Sequence, residues 1–285
     1  MAEEAGVIVD TEGFLNAMEE QKRRSREARR AAKLAGGAGQ VLELIAEQTA
    51  FLADEGVEAT DDEFKYEWDV GTSATVKAVF TSDGFLGADD EAAEGESVGL
   101  VLDRTSFYAE AGGQESDLGT IEILTSDGEI AGKFVVNDVQ SYGAYILHTG
   151  ILASGSLQAG SSVTCRVDYD RRRSVAPNHS MTHVLNAALR KVLGDTVEQR
   201  GSLCNDEKLR FDFSHKKAMT AKQLRSTEEY CKAAVENAEP VTAAVMPLDE
   251  AKEIDGVRAV FGEVYPDPVR VVSVGEETSV EFCGG

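Results

Sequence analysis

The chain has 285 residues, 42% of them hydrophobic and 7% aromatic, and its 51 Asp/Glu against 28 Lys/Arg give a net charge of −23. That length allows two domains with a third short piece, and no run approaches the ~20 apolar residues that span a bilayer. The opening MAEEAGVIVD has no basic start followed by an apolar run, so no secretory signal is expected. Four dispersed cysteines (Cys165, Cys204, Cys231 and Cys283) form no CxxC pair and read as reduced thiols of a folded, intracellular protein.

The net charge argues against a nucleic-acid partner, but its distribution does not. Residues 54–100 hold 14 Asp/Glu and two Lys/Arg, whereas residues 166–225 hold 13 Lys/Arg and seven Asp/Glu. Phosphate contact depends on the local field and not on total charge. The basic stretch is therefore either a polyanion footprint or an ordinary solvated face.

In chain order, residues 11–35 read as an amphipathic, mostly charged helix. Acids lie in its early turns and bases in its later ones, which suits the helix dipole. Phe14, Leu15 and Met18 give it a short apolar stripe, and GGAG at 36–39 ends it. A second helix is expected at about 40–54, where VLELIAEQTAFLA has helical spacing. From about 71 to 169 the pattern changes to short β-rich runs: SATVKAVF, SVGLVLD, GTIEILT, GKFVVNDV, AYILHTG and SVTCRVDYD. Turn signals between them, at this spacing, predict a small closed barrel. After Asp170 helices and strands alternate: a loop then a helix in RRRSVAPNHSMTHVLNAALRKVLG, a strand in KLRFDFSH and a long helix in TAKQLRSTEEYCKAAVENAE. Strands follow in VTAAVMPL, RAVFGEVY and VRVVSV. The expected fold class is α+β: a helical segment over 1–70, a β-barrel over 71–169 and an α+β domain over 170–285.

The helix expected over about 178–193 starts after Pro177, with Asn178 as N-cap and Gly194 at its end. Met181, Val184, Leu185, Ala188, Leu189 and Val192 share one face, and His179, His183, Asn186 and Arg190 lie opposite. Histidines four apart on a helix are close enough to hold one metal ion; otherwise they are two solvent-facing side chains. Zinc would need further ligands, and Cys283, in a glycine-rich stretch able to bend around an ion, is the obvious thiolate. His148 and His215 suit structural or surface roles. Gly112 and Gly113 in FYAEAGGQ permit positive φ and close backbone approach.

Three stretches carry a family resemblance: TSFYAEAGGQESDLGTI at 105–121, NHSMTHVLNAALRKVLGDTVEQRGSLCNDEKLRFDFSH at 178–215 and AVFGEVYPDPVRVVSVGEETSVEFCGG at 259–285. Together with EGFLNAMEEQKRRSREAR, they make the chain resemble alanyl-tRNA synthetase, in the end of its tRNA-recognition region, its barrel and its editing domain, closest to the eukaryotic form. The resemblance implies an aminoacyl-tRNA deacylase acting on seryl-tRNA(Ala) and glycyl-tRNA(Ala). An amino-acid pocket built for alanine cannot strongly exclude glycine or a side chain with one added hydroxyl, so a second sieve is needed. It also implies zinc on His179, His183 and Cys283. The family's fourth ligand, a histidine four residues past the cysteine, falls beyond Gly285. Gln199 matches an editing-pocket position, and the FYAE-GGQ loop reaches toward that pocket.

The expected partner is tRNA(Ala), with Arg171, Arg172, Arg173, Lys216 and Lys217 as candidate phosphate contacts; neither DNA nor a membrane is expected. No Walker-type loop is present and the family's ATP-dependent aminoacylation region is not recognised, so the editing portion of a cytoplasmic (or organellar) enzyme is expected. A free-standing trans-editing protein or a non-catalytic tRNA-binding piece are the alternatives.

Overall fold

The computed structural model describes residues 42–258, 265–275 and 278–285. The helix expected over 11–35 lies outside the described residues, as does most of the strand expected in RAVFGEVY. The second expected helix is present as α1, Ala46–Asp54.

Seven strands follow: β1 Thr72–Thr81, the short β2 Gly84–Phe85, β3 Ser97–Leu102, β4 Gly119–Leu124, β5 Ile130–Tyr142, β6 Tyr145–Ser154 and β7 Ser162–Val167. Six of them run antiparallel in the order β1-β3-β6-β5-β4-β7, and pairing of β1 with β7 (Thr72 opposite Cys165) closes the barrel. Val76, Leu100, Leu102, Ile121, Phe134, Leu152 and Val163 fill its interior. Where β1 and β6 depart from strict alternation, α1 and the segment just before it supply the reason. Leu42, Leu44 and Leu52 cover the outward side chains of Ala78, Phe80, Val101, Tyr145 and Leu147, so both faces of the sheet are buried there.

Beyond the barrel come α2 Tyr169–Leu193, a hairpin of β8 Gln199–Cys204 and β9 Leu209–Phe213, α3 Ala221–Glu236, the short α4 Leu248–Lys252 and an antiparallel sheet of β10 Val241–Met246, β11 Val269–Val274 and β12 Ser279–Phe282. Five elements among the described residues were not foreseen: the 3-10 turn at Glu63–Tyr66, β2, β8, α4 and β12.

The start of α2 differs from expectation. Asn178 is not its N-cap: the helix begins nine residues earlier, and Pro177 sits inside it. Asp168 caps it by accepting from the Arg171 backbone N–H at 3.0 Å. The extra turns persist because Arg172, in the first of them, is anchored in the barrel wall. Its guanidinium pairs with buried Asp117 and donates to the carbonyls of Ser106 (2.6 Å), Lys65 (3.1 Å) and Glu67 (3.3 Å). These bonds outweigh the single helical bond that Pro177 removes.

Candidate metal centre

Two periodicities meet at the centre. Along α2, one turn separates His179 from His183, so both rings project from the same side. Along β12 the period is two, so Glu281 and Cys283 point together toward α2 while Phe282 turns the other way, into the cluster of Ala251, Val269 and Val271. The result is a compact group in which the ligand atoms of His179, His183 and Cys283 lie within 4.8 Å of one another. The expectation that the histidines lie off the packed face of the helix is corrected. Val184, Ala188 and Leu189 are buried on one side, and His179, His183 and Asn186 are equally buried on the other. The solvent-facing alternative is thereby removed.

Each ring is held by its Nδ1. Gln114 Oε1 accepts from His179 at 2.7 Å, and Glu281 Oε2 accepts from His183 at 2.7 Å. Glu281 is fixed in turn by Asn186 Nδ2 (3.1 Å), Ser279 Oγ (2.9 Å) and Arg258 Nη1 (3.4 Å). With both Nδ1 positions occupied, the Nε2 atoms are left facing inward. His179 Nε2 lies 3.0 Å from Cys283 Sγ, and His183 Nε2 is buried with no hydrogen-bond partner. A buried, orphaned imidazole nitrogen is costly unless something else takes it. Two oriented Nε2 atoms, one thiolate and outer partners on each histidine form a donor set that suits zinc.

The electrostatics agree with this arrangement. Burial works against a charged Cys283, but the His179 and His183 rings beside it outweigh burial and bring the thiol down to about 5. Burial likewise opposes a charged His183, and the Cys283 sulfur and the Glu281 carboxylate reverse that and raise it to about 10. The pair favours the thiolate, the form that binds metal, and a metal ion would have to displace the proton that the same pairing keeps on His183.

The glycine-rich stretch around Cys283 is less free than its composition suggests. The Cys283 N–H donates to Arg270 O (3.0 Å), and Arg270 Nη1 donates to Cys283 O (3.1 Å) and to Gly285 O. The Arg270 guanidinium stacks 4.5 Å over the Tyr66 ring, whose hydroxyl donates to Gly284 O at 3.0 Å.

Gln114 arrives on a barrel loop stitched to β8. Cys204 N donates to Gly113 O (2.7 Å), Glu115 N donates to Cys204 O (3.0 Å) and Ser202 Oγ donates to Gly112 O (3.0 Å). Gly113 has φ +85°, and a Cβ there would collide with the backbone of Ser202, so the close approach requires glycine. Gln199 lies at the start of β8, half-buried, with its Nε2 3.3 Å from Ser202 Oγ.

Each residue of the arginine run expected to contact phosphate has a carboxylate partner in the structure. Arg172 is buried in its pair with Asp117. Arg171 donates to Glu115 Oε2 (2.8 Å) and Ser116 O (2.9 Å), and Arg173 is clamped by Asp69 (2.5 Å) and Asp170 (3.1 Å). All three are held by carboxylates because the acidic segment before the barrel and the loop after β3 fold against the base of α2. Lys216 and Lys217 are exposed just past β9, as is His215. His148 is buried in the barrel. Sequence reasoning passed over Gln114 and Glu281 and set Asn186 on the histidine face without giving it a role. Two of these were readable, Gln114 as the polar end of GGQ and Glu281 as the residue two before Cys283 on a strand.

The family model for class II (A) tRNA synthetases matches residues 1–171, and the chain belongs to that family. Over its whole length it is similar to alanine–tRNA ligases. It is 43% identical to that of Schizosaccharomyces pombe, 42% to the mitochondrial one of Saccharomyces cerevisiae and 40% to the cytoplasmic one of Bombyx mori. The match covers 100% of this chain in each case and 30%, 29% and 31% of those proteins, so the chain spans about a third of their length. Among the described residues, no helix is long and apolar enough to cross a membrane.

Proposed function

We propose that this chain is the editing portion of an alanyl-tRNA synthetase, an aminoacyl-ester hydrolase that removes serine or glycine from tRNA(Ala). The observation that carries this reading is the unpartnered, buried Nε2 of His183 beside His179 and Cys283. On this reading residues 1–70 close the tRNA-recognition region, 71–169 form the barrel and 170–285 the hydrolytic domain, in the cytoplasm or, as one relative's name suggests, in an organelle.

His179, His183 and Cys283 would hold zinc. When bound, zinc supplies a Lewis acid that favours charge developing on an ester carbonyl. The protein's part is positional. Gln114 and Glu281 fix the two imidazoles through Nδ1, and Asn186, Ser279 and Arg258 fix Glu281, so the Nε2 atoms need no reorganisation when a ligand arrives. Gln199, half-buried on β8, is assigned a contact with the aminoacyl end of the substrate.

One observation favours a second reading, RNA binding without catalysis: the family-model match stops at residue 171, before the first histidine of the cluster. Hydrolysis of seryl-tRNA(Ala) and alanyl-tRNA(Ala) by the purified chain, with zinc quantified on the same sample, separates the two. Selective loss of serine that a chelator abolishes supports the editing reading. Stoichiometric RNA binding with neither zinc nor turnover would replace it with the second.

A further inference from the structure

Carboxylates far outnumber cations in this protein, and most described arginines are paired with one: Arg104, Arg166, Arg171, Arg172, Arg173, Arg190, Arg200, Arg210 and Arg258. One segment breaks the rule. Residues 208–225 hold six Lys/Arg and a single acid, Asp212, which Arg210 engages at 3.0 Å. The other five, Lys208, Lys216, Lys217, Lys222 and Arg225, are all exposed, and none makes an ion pair among the described residues.

Their placement is as unusual as their freedom. Lys208 stands at the turn of the β8–β9 hairpin, Lys216 and Lys217 follow the far end of β9, and Lys222 and Arg225 occupy the first two turns of α3. The first turn of α3 has no acid, so these cations sit at the positive end of a helix, where charge of that sign is unfavourable unless an anion neutralises it. The track runs along β9, which pairs with β8 through a bulge at Arg200: Gln199 lies opposite Phe213, and Cys204 opposite Leu209. β8 in turn is bonded to the loop that delivers Gln114 to His179.

We propose that Lys208, Lys216, Lys217, Lys222 and Arg225 form a phosphate track that binds the phosphodiester backbone of an RNA and leads its 3′ end along the β8–β9 hairpin to the metal centre. This rests on the editing reading and adds the surface that the substrate's nucleic acid occupies. The acidic segment 54–100 repels the same backbone, so the two together orient the RNA. Lys216 and Lys217 are therefore part of a longer surface, and the arginines at 171–173 are not in it.

The test is the salt dependence of binding of an RNA hairpin with an unpaired 3′ tail. Five phosphate contacts predict an affinity loss of roughly 100- to 500-fold between about 50 and 200 mM salt. Reversing all five charges (K208E, K216E, K217E, K222E and R225E) removes most of that dependence. It also raises KM for an aminoacylated hairpin, with turnover at saturation unchanged. Reversal of two exposed barrel lysines, K77E with K133E, leaves the dependence as in the wild type. An unmoved salt slope in the five-site variant, with wild-type RNA binding intact, overturns the track and leaves the editing reading standing. No RNA binding by the wild type, or binding to anionic vesicles in its place, overturns the track together with the reading it rests on. An unchanged thermal unfolding curve shows that the five-site variant is folded.

Discussion

The barrel and α2 each bury histidine, and they do so in opposite ways. His148, fully enclosed in the barrel, has both nitrogens satisfied by the protein: Thr105 Oγ1 lies 2.8 Å from Nε2 and Leu100 O accepts from Nδ1 at 3.1 Å. Burial pushes it down to about 4, so it stays neutral. His179 and His183 have one nitrogen each tied to a side chain, and the other faces a sulfur or nothing. Burial alone therefore says little about function; an account of each ring nitrogen does. A histidine with two protein partners is a core residue, and a histidine oriented through Nδ1 with Nε2 left over is built for a ligand.

The comparison is broken most directly at the metal side. His183→Ala and Cys283→Ala should each reduce bound zinc to background, while His148→Gln leaves zinc content unchanged; zinc per chain after dialysis is the readout. Equal zinc in all three variants would erase the distinction.

Arginines at the base of α2 sharpen the same argument with a different side chain. Arg172→Ala strips Asp117 of its buried partner and should cost about 3–5 kcal/mol in denaturant unfolding. Arg173→Ala, at an exposed pair, should leave the unfolding midpoint where it was.

His148 gives a pH signature. Its folded value, near 4, lies below the ordinary 6.5, so the unfolded chain binds the proton more readily. Stability is then complete above about pH 6.5 and falls by about 3 kcal/mol as the pH drops toward 4. His148→Gln should flatten that part of the profile. A wild-type curve with no slope between those values would mean that the barrel does not hold this ring neutral.

The smallest effects are expected at the outer partners. Gln114→Ala and Glu281→Gln should each weaken zinc binding by roughly 10- to 100-fold without abolishing it. Competition with a chromogenic chelator measures this.

Much of this was legible in the sequence. The six barrel strands announce themselves by β-rich runs between turn signals, and His179, His183 and Cys283 by residue type and spacing. The rest depended on contacts between segments far apart in the chain. The early start of α2 follows from Arg172 meeting Asp117, across 55 residues, which no local signal at Pro177 reveals. The burial of the polar face of α2 follows from β12 packing on it, and helical periodicity alone treats an unpacked polar face as solvated. The pairing of the arginine run was hidden for the same reason: a cluster of cations reads as free until the carboxylates that fold against it are placed.

The metal centre on His179, His183 and Cys283 stands or falls on the ligands that zinc takes up. The most direct measurement is X-ray absorption at the zinc edge on the zinc-loaded chain. Two nitrogen ligands at about 2.0–2.1 Å and one sulfur at about 2.3 Å are predicted, with the sulfur lost in Cys283→Ala. A chain that takes up no zinc, or a first shell without sulfur, would contradict the account.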